Sequence, residues 1–125
     1  MAKKILVIDD DLYLRELYVE VMKDAGFEVD SAKDGKDGLE KLSQGGWDLT
    51  LLDIMMPNLD GLGVLTKLAE SPPAQPNGPI IILTNLSNDP SMKEALKKGA
   101  TSYLIKADFI PVQLVEKAKE FLKKP

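Results

Sequence analysis

Polar residues with reactive side chains follow four of the five short apolar segments of this chain. They are Asp9-Asp10-Asp11 after the first segment, Asp53 after the third, Thr84 at the end of the fourth and Lys106 at the end of the fifth. If these segments are parallel strands of one sheet, their carboxyl ends meet at one edge, where ligands bind in open α/β sheets. Carboxylates, a hydroxyl and an ammonium would then share one site.

Each of these residues also has an ordinary structural interpretation. Asp10 or Asp11 could cap the first helix, and Asp53 could belong to a turn. Thr84 could be present for its β-branch, and Lys106 could be a solvated strand end. A cap needs only one acid, however, and four segments deliver these groups to the same edge. The combination therefore favours a functional site over separate structural roles.

The charges of the set indicate a hard cation. Asp9, Asp10 and Asp53 contribute −3 against +1 from Lys106. Like charges this close raise one another's pKa unless a cation enters. All the available ligands are oxygens, and one carboxyl must stay free to react. Mg²⁺ fits these conditions, because it keeps several waters and takes few protein ligands.

Amphipathic segments alternate with the apolar ones, which predicts five strands and five helices. The predicted strands are Lys4–Asp9, Phe27–Ala32, Asp48–Asp53, Ile80–Thr84 and Ser102–Lys106. The predicted helices are one through Leu14–Met22 that stops at Gly26, Gly35–Gln44, Gly61–Glu70, one from Asp89-Pro90 to Gly99, and one from Pro111 to the C-terminus. The expected fold is an α/β (βα)₅ doubly wound parallel sheet. Applying the strand order 2-1-3-4-5 puts the site between the first and third strands.

Composition excludes several classes of function. The chain contains no Cys and no His, so thiolate metal sites, cysteine nucleophiles and Ser-His-Asp hydrolases are excluded. A formal net charge of −4 over 125 residues disfavours a nucleic-acid surface. Neither a signal-peptide core nor a membrane-spanning stretch is present. We therefore expect a single cytoplasmic domain over residues 1–125, with no direct contact to nucleic acid or membrane.

Four segments carry the motifs and the order of a known family: ILVIDD (Ile5–Asp10), LLDIMMPNLDG (Leu51–Gly61), IIILTN (Ile80–Asn85) and GATSYLIKADF (Gly99–Phe109). In them the chain resembles the receiver domain of two-component response regulators over essentially its whole length. The second segment is the most specific, because its Asp, Pro and Asp-Gly fall at the family's spacing. The resemblance implies a CheY-like, flavodoxin-like fold.

The resemblance also implies the roles of the site residues. Asp53 would be the phosphoacceptor. Asp9, Asp10 and Asp53, with the backbone carbonyl of Met55, would hold Mg²⁺. Thr84 and Lys106 would bind phosphoryl oxygens and take part in the chemistry.

The resemblance also implies a role for a tyrosine on the fifth strand. Tyr103 would act with Thr84 as a switch that alters the surface of the fourth helix, fifth strand and fifth helix. Tyr103 could equally be an aromatic side chain packed at a strand edge.

The implied partner is a phosphohistidine donor, either a sensor histidine kinase or a histidine phosphotransfer protein. The output partner is open, and the resemblance allows a phosphorylation-dependent dimer. The protein would not be a dedicated enzyme, but would be phosphorylated and dephosphorylated slowly by itself. The alternatives are a degenerate receiver that works without phosphorylation, and the receiver part of a longer transcriptional regulator. A phosphohydrolase with Asp53 as nucleophile would need a general base for water, and the sequence offers none.

Two residues depart from the family pattern. Ala107 stands where the family usually has Pro, and Asn85 stands where a small residue is usual. Without proline a cis Lys106–Ala107 bond would cost about 2.5–4 kcal/mol, so we expect it to be trans. In the first helix, Leu12 and Tyr13 are expected to be exposed and to form a docking patch beside the site.

Overall fold

The computed structural model describes residues 2–85 and 90–123. Its strands are β1 (Lys4–Ile8), β2 (Glu28–Ala32), β3 (Leu49–Leu52), β4 (Ile80–Thr84) and β5 (Ser102–Ile105). Its helices are α1 (Leu12–Asp24), α2 (Gly35–Gln44), α3 (Gly61–Glu70), α4 (Pro90–Lys97) and α5 (Pro111–Lys123), with a 3-10 turn at Lys106–Asp108. The strands form one parallel sheet in the order β2-β1-β3-β4-β5. The predicted fold and strand order are confirmed.

The strands end slightly earlier than the sequence predicted. β1 stops at Ile8, β3 at Leu52 and β5 at Ile105, so Asp9, Asp53 and Lys106 all follow strands and do not end them. The residue after β5 begins a 3-10 turn that the apolar pattern did not reveal. Side chains directly after strands are free to turn toward the edge of the sheet, which is where a shared site needs them.

Alternate residues of the central strands pack against opposite helical layers. Ile5 and Val7 of β1 lie in the core formed with α1 and α5, whereas Leu6 and Ile8 lie in the core formed with α2, α3 and α4. Strands buried on both faces explain the near-continuous apolar sequence of β1. No helix in the described ranges is long and apolar enough to cross a membrane.

Aspartates fix the starts of three helices. Asp11, Asp34 and Asp60 each accept a hydrogen bond from the backbone N–H three residues ahead, in α1, α2 and α3 respectively. Such caps stabilise a helix by about 1 kcal/mol each. α4 begins at Pro90, as predicted, while its predicted cap Asp89 lies outside the described residues.

The proline-rich loop after α3 is attached to the end of α2. The side chain of Asn77 accepts from the N–H of Trp47 at 3.2 Å and donates to the carbonyl of Leu42 at 3.0 Å. The N–H of Gly78 donates to the Trp47 carbonyl at 2.6 Å. The loop is therefore an anchored surface insertion at the sheet edge opposite the acidic residues.

One buried group offers a test of the core. The Thr50 hydroxyl in β3 is fully buried and has no hydrogen-bond partner among the described residues. A buried polar group without a partner costs about 1–3 kcal/mol, and valine has nearly the same shape. We expect Thr50→Val to raise the free energy of unfolding by about 1 kcal/mol in urea titrations followed by circular dichroism. A lower unfolding midpoint for the variant would contradict this.

Candidate functional site

The parallel register brings the predicted site residues to one edge of the sheet. Ile8 of β1 pairs with Leu52 of β3, so the residues that follow them, Asp9 and Asp53, lie side by side. The N–H of Asp53 donates to the carbonyl of Ile8 at 3.0 Å, which holds Asp53 beside the end of β1. Lys106 follows β5 and reaches past the end of β4 to both acids.

Lys106 bridges the two acids. Its Nζ lies 2.7 Å from Oδ2 of Asp9 and 3.2 Å from Oδ2 of Asp53. The side chains of Lys106, Asp9 and Asp53 are 8%, 2% and 10% exposed, respectively. Removing one partner from such a buried arrangement is costly because the remaining charge is uncompensated. The charges of Lys106, Asp9 and Asp53 thus compensate one another within the site.

Burial and neighbouring charge shift the pKa values at this site. Burial raises the pKa of Asp53 to about 6, the nearby Lys106 lowers it in part, and the charge of Asp9 raises it again. Burial alone would lower the pKa of Lys106, but its hydrogen bond to Asp9 and the charges of Asp53 and Asp9 outweigh this and raise it. Asp53 therefore ionises at a cost that an added cation would relieve.

The three consecutive acids have three different environments. Asp9 is buried, and its Oδ1 accepts from the N–H of Asp11 at 3.0 Å. Asp10 is exposed. Asp11 caps α1 through Leu14 at 3.0 Å. Of the two caps that the sequence left open, the structure therefore selects Asp11, which leaves Asp10 available to a ligand.

The carboxylates form a group that could hold a metal ion. Asp9, Asp10 and Asp53 each offer one oxygen, and these oxygens lie within 4.8 Å of one another. Three hard oxygen donors with a charge of −3, beside the +1 of Lys106, match the preferences of a small divalent cation. The residues present therefore fit Mg²⁺.

Comparison with known proteins identifies the family. The family model for the response regulator receiver domain matches residues 5–124. This chain belongs to that family. A curated relative is the transcriptional regulatory protein SrrA of Staphylococcus aureus (strain NCTC 8325), which is 32% identical over 124 residues, covering 99% of this chain and 49% of SrrA. The receiver chain thus spans about half the length of the curated relatives it matches.

Solved receiver structures share the fold. A CheY-like receiver domain protein from Methanospirillum hungatei JF-1 is 30% identical and superposes with a TM-score of 0.84, covering 98% of this chain and 94% of that one. The BeF3-activated receiver domain of DrrB is 29% identical with a TM-score of 0.81, covering 99% of this chain and 100% of that one. The chain is thus a CheY-like receiver domain of two-component signalling.

The remaining predicted residues of the receiver site lie on or near β4 and β5. Thr84 is buried at the end of β4, next to Ile105 of β5. Tyr103 of β5 is 42% exposed, and Asn85 is exposed. The switch role of Tyr103 stays a prediction.

The described residues contain no cis peptide bond, so Lys106–Ala107 is trans, as expected.

Met55 is placed two residues beyond Asp53, in the loop between β3 and α3. Met55 is 64% exposed. Whether its backbone carbonyl binds a metal ion stays a prediction.

One residue of the receiver site was not predicted from the sequence. Arg15 on α1 donates from its guanidinium to the backbone carbonyl of Asp9 at 2.9 Å. It supports the turn that carries Asp9 and Asp10. The available signal was its position in the first turn of α1, four residues after the capping Asp11, which puts its side chain beside the β1–α1 turn.

Proposed function

We propose that this receiver domain accepts a phosphoryl group on the carboxylate of Asp53 from a phosphohistidine of a partner protein. The observation that carries the proposal is that Asp53 combines two kinds of neighbour. Lys106 Nζ lies 3.2 Å from its carboxylate, and its oxygen lies within 4.8 Å of oxygens of Asp9 and Asp10. A nucleophile, a fixed cation and a candidate metal site therefore meet at one carboxylate.

The transfer would exchange one bond to phosphorus for another. An oxygen of Asp53 forms the new P–O bond in line, while the P–N bond to the donor imidazole breaks and that nitrogen takes up a proton. With a pKa of about 6, Asp53 is mostly ionised at neutral pH and can act as the nucleophile. The donor histidine belongs to a sensor histidine kinase or a phosphotransfer protein, because this chain has no His.

Asp9, Asp10 and Asp53, with the backbone carbonyl of Met55, would hold Mg²⁺. When bound, the ion would offset charge on the phosphoryl oxygens. Asp9 already accepts a hydrogen bond from the N–H of Asp11 on Oδ1 and pairs with Lys106 through Oδ2, so besides holding the ion it would orient Lys106. The BeF3 that activates the DrrB receiver domain resembles a phosphoryl group in shape, which supports the proposal that a receiver site of this kind holds a phosphoryl group.

The phosphorylated state would be read at a surface distant from Asp53. Thr84 and Lys106 bind phosphoryl oxygens and stabilise the charge that develops there. Movement of Thr84 lets Tyr103 turn inward and changes the face formed by α4, β5 and α5. That face would contact the output protein or a second copy of the chain.

A docking patch beside the site would receive the donor. Leu12 and Tyr13 of α1 are 58% and 72% exposed, so their predicted exposure is confirmed. Exposed apolar side chains next to each other often mark interfaces. We place the phosphohistidine partner on this patch.

The relatives support a proposal about the context of the domain. We propose residues 1–125 as a single receiver domain acting in the cytoplasm, with slow phosphorylation and dephosphorylation of its own. We propose a receiver that acts alone; the alternative, the receiver part of a longer transcriptional regulator, is supported by the alignment of the chain with 49% of SrrA. Intact Asp53, Thr84 and Lys106 argue against a degenerate receiver.

The proposal is tested with a small phosphodonor. We expect acetyl phosphate with Mg²⁺ to add one phosphoryl group per chain, seen by intact mass spectrometry, and to add none after chelation of Mg²⁺. Asp53→Asn, which keeps the size of the side chain, should remain unmodified. Stoichiometric modification of Asp53→Asn would overturn the assignment.

A further inference from the structure

A hydrogen bond joins the β3–α3 loop, residues 53–60, to the start of α2. Asn58 in this loop donates from Nδ2 to Oδ2 of Asp34 at 2.7 Å. Asn58 has a φ of 70° and is the one non-glycine residue with positive φ in the described ranges. Asparagine adopts this left-handed conformation more readily than most residues. The backbone conformation thus directs the Asn58 amide toward Asp34, 24 residues away in sequence.

Both carboxylate oxygens of Asp34 accept hydrogen bonds. Oδ1 accepts from the N–H of Asp37 at 2.8 Å and caps α2, and Oδ2 accepts from Asn58. Asp34 is only 6% exposed. The hydrogen bond from the Asp37 backbone, and then that from Asn58, hold the pKa of Asp34 below its usual range. The carboxylate is therefore charged at neutral pH, which strengthens both hydrogen bonds.

The loop is packed closely on both sides of this hydrogen bond. A Cβ on Gly35 would lie 1.8 Å from the carbonyl oxygen of Leu59, and one on Gly61 would lie 2.5 Å from that of Asp53. The N–H of Gly61 also donates to the carbonyl of Ile54 at 2.7 Å. The starts of α2 and α3 are thus in close backbone contact with the loop, and a shift of the loop changes the surroundings of Asp53.

The same loop lies beside Asp10, one of the candidate metal ligands. Met55 and Met56 line one cleft together with Asp10, and the Met55 carbonyl is the ligand that the proposed function takes from this loop. Mg²⁺ demands near-octahedral geometry with oxygens at about 2.0–2.1 Å. Binding is therefore sensitive to where the loop holds that carbonyl.

We propose that Asp34 and Asn58 form a positioning pair that holds the β3–α3 loop in the conformation that binds Mg²⁺. This inference rests on the proposed function, because it requires Mg²⁺ at Asp9, Asp10 and Asp53. The pair acts through the loop and contacts no ligand. When the binding conformation is only fractionally populated, the apparent Kd rises by the inverse of that fraction. Breaking the pair therefore weakens Mg²⁺ binding while every ligand remains.

Two substitutions break the hydrogen bond with little other change. Asn58→Gly keeps the positive φ without strain and removes only the side-chain amide. Asp34→Ser keeps a good cap for α2 but is too short to reach Asn58. The double variant Asp34→Ser/Asn58→Gly completes a cycle that isolates the interaction between the two side chains.

The measured quantity is the Kd for Mg²⁺ from isothermal titration calorimetry at fixed pH and ionic strength. We expect each single variant to raise it about five- to tenfold, in line with the loss of a population of loop conformers. The double variant should bind no more weakly than the weaker single variant, because the bond can be lost only once. Urea unfolding of each protein shows that it is folded under the titration conditions.

Asn77→Gly is the matched control. It removes an asparagine that anchors another loop by two hydrogen bonds, at the opposite edge of the sheet, and should leave the Kd for Mg²⁺ unchanged while lowering stability. If the parent binds Mg²⁺ and the Asp34 and Asn58 variants bind it equally well, the positioning pair is overturned and the metal site stands. If the parent takes up no Mg²⁺, the proposed function fails, and this inference with it. If Asn77→Gly weakened Mg²⁺ binding as much as the Asp34 and Asn58 variants do, general destabilisation would explain the effect. That result would also overturn the proposed positioning pair.

Discussion

Lys106→Met is expected to lower the free energy of unfolding by about 3–5 kcal/mol at neutral pH without Mg²⁺, the cost of removing one partner from a buried ion pair. Methionine fills nearly the same volume, so the loss reports charge and not a cavity. The Asp9 and Asp53 side chains, 2% and 10% exposed, would then face each other without a cation. Because protonation relieves their repulsion, the loss should shrink at pH 5, and bound Mg²⁺ should restore part of it.

Urea unfolding at pH 7.5 and pH 5, with and without Mg²⁺, measures these effects. Lys119→Met is the matched control, because Lys119 pairs with Glu116 at 3.7 Å on the surface, where the two side chains are 45% and 76% exposed. That pair should contribute less than about 1 kcal/mol. A loss for Lys106→Met no larger than for the control would show that the buried ion pair is not what compensates the acids.

Asp53→Asn is expected to make the protein more stable than the parent at pH 7.5 without Mg²⁺. The folded state raises the pKa of Asp53 from 3.8 to about 6 through burial, so between these values it binds more protons than the unfolded state. Stability therefore falls as pH rises from about 4 through 6, and the penalty is fully present above about pH 7. The amide never ionises and avoids it.

The expected gain at pH 7.5 is on the order of 1–2 kcal/mol, less than the full shift implies because solvent screens part of the charge. It should shrink to a small remainder near pH 4, where the parent carboxyl is protonated in the folded state and about half ionised in the unfolded state. Mg²⁺ should stabilise the parent by mass action and the variant much less. Urea midpoints across pH 4–7.5 measure both effects. A difference between the two proteins that does not change with pH would exclude Asp53 as the titrating group.

The elements that position the site were predictable because burial determines their sequence. The near-continuous apolar run of β1 requires helices on both faces, and Pro90 and Pro111 mark helix starts through their fixed φ. Parallel strands in this order predict that Asp9, Asp53 and Lys106 lie at one edge of the sheet. In the structure, Lys106 Nζ lies 2.7 Å from the Asp9 carboxylate and 3.2 Å from the Asp53 carboxylate.

Features that depend on tertiary geometry were not predictable. Asp10 and Asp11 are equally good caps in sequence, and only the backbone conformation assigns the cap to Asp11. The hydrogen bond from Asn58 to Asp34 requires a positive φ and a contact between separate loops, and neither leaves a periodic signal. The 3-10 turn after β5 is too short to produce one.

Chemical location of the phosphoryl group tests its assignment to Asp53 most directly. The protein is treated with acetyl phosphate and Mg²⁺ and then with borohydride, which reduces an acyl phosphate to an alcohol and leaves free carboxylates unchanged. Peptide sequencing by mass spectrometry then identifies the residue that has become homoserine. We expect homoserine at position 53 and at no other aspartate, and none when Mg²⁺ is chelated. Homoserine at position 9 or 10, or a phosphoryl group that resists borohydride because it sits on a hydroxyl, would contradict the assignment.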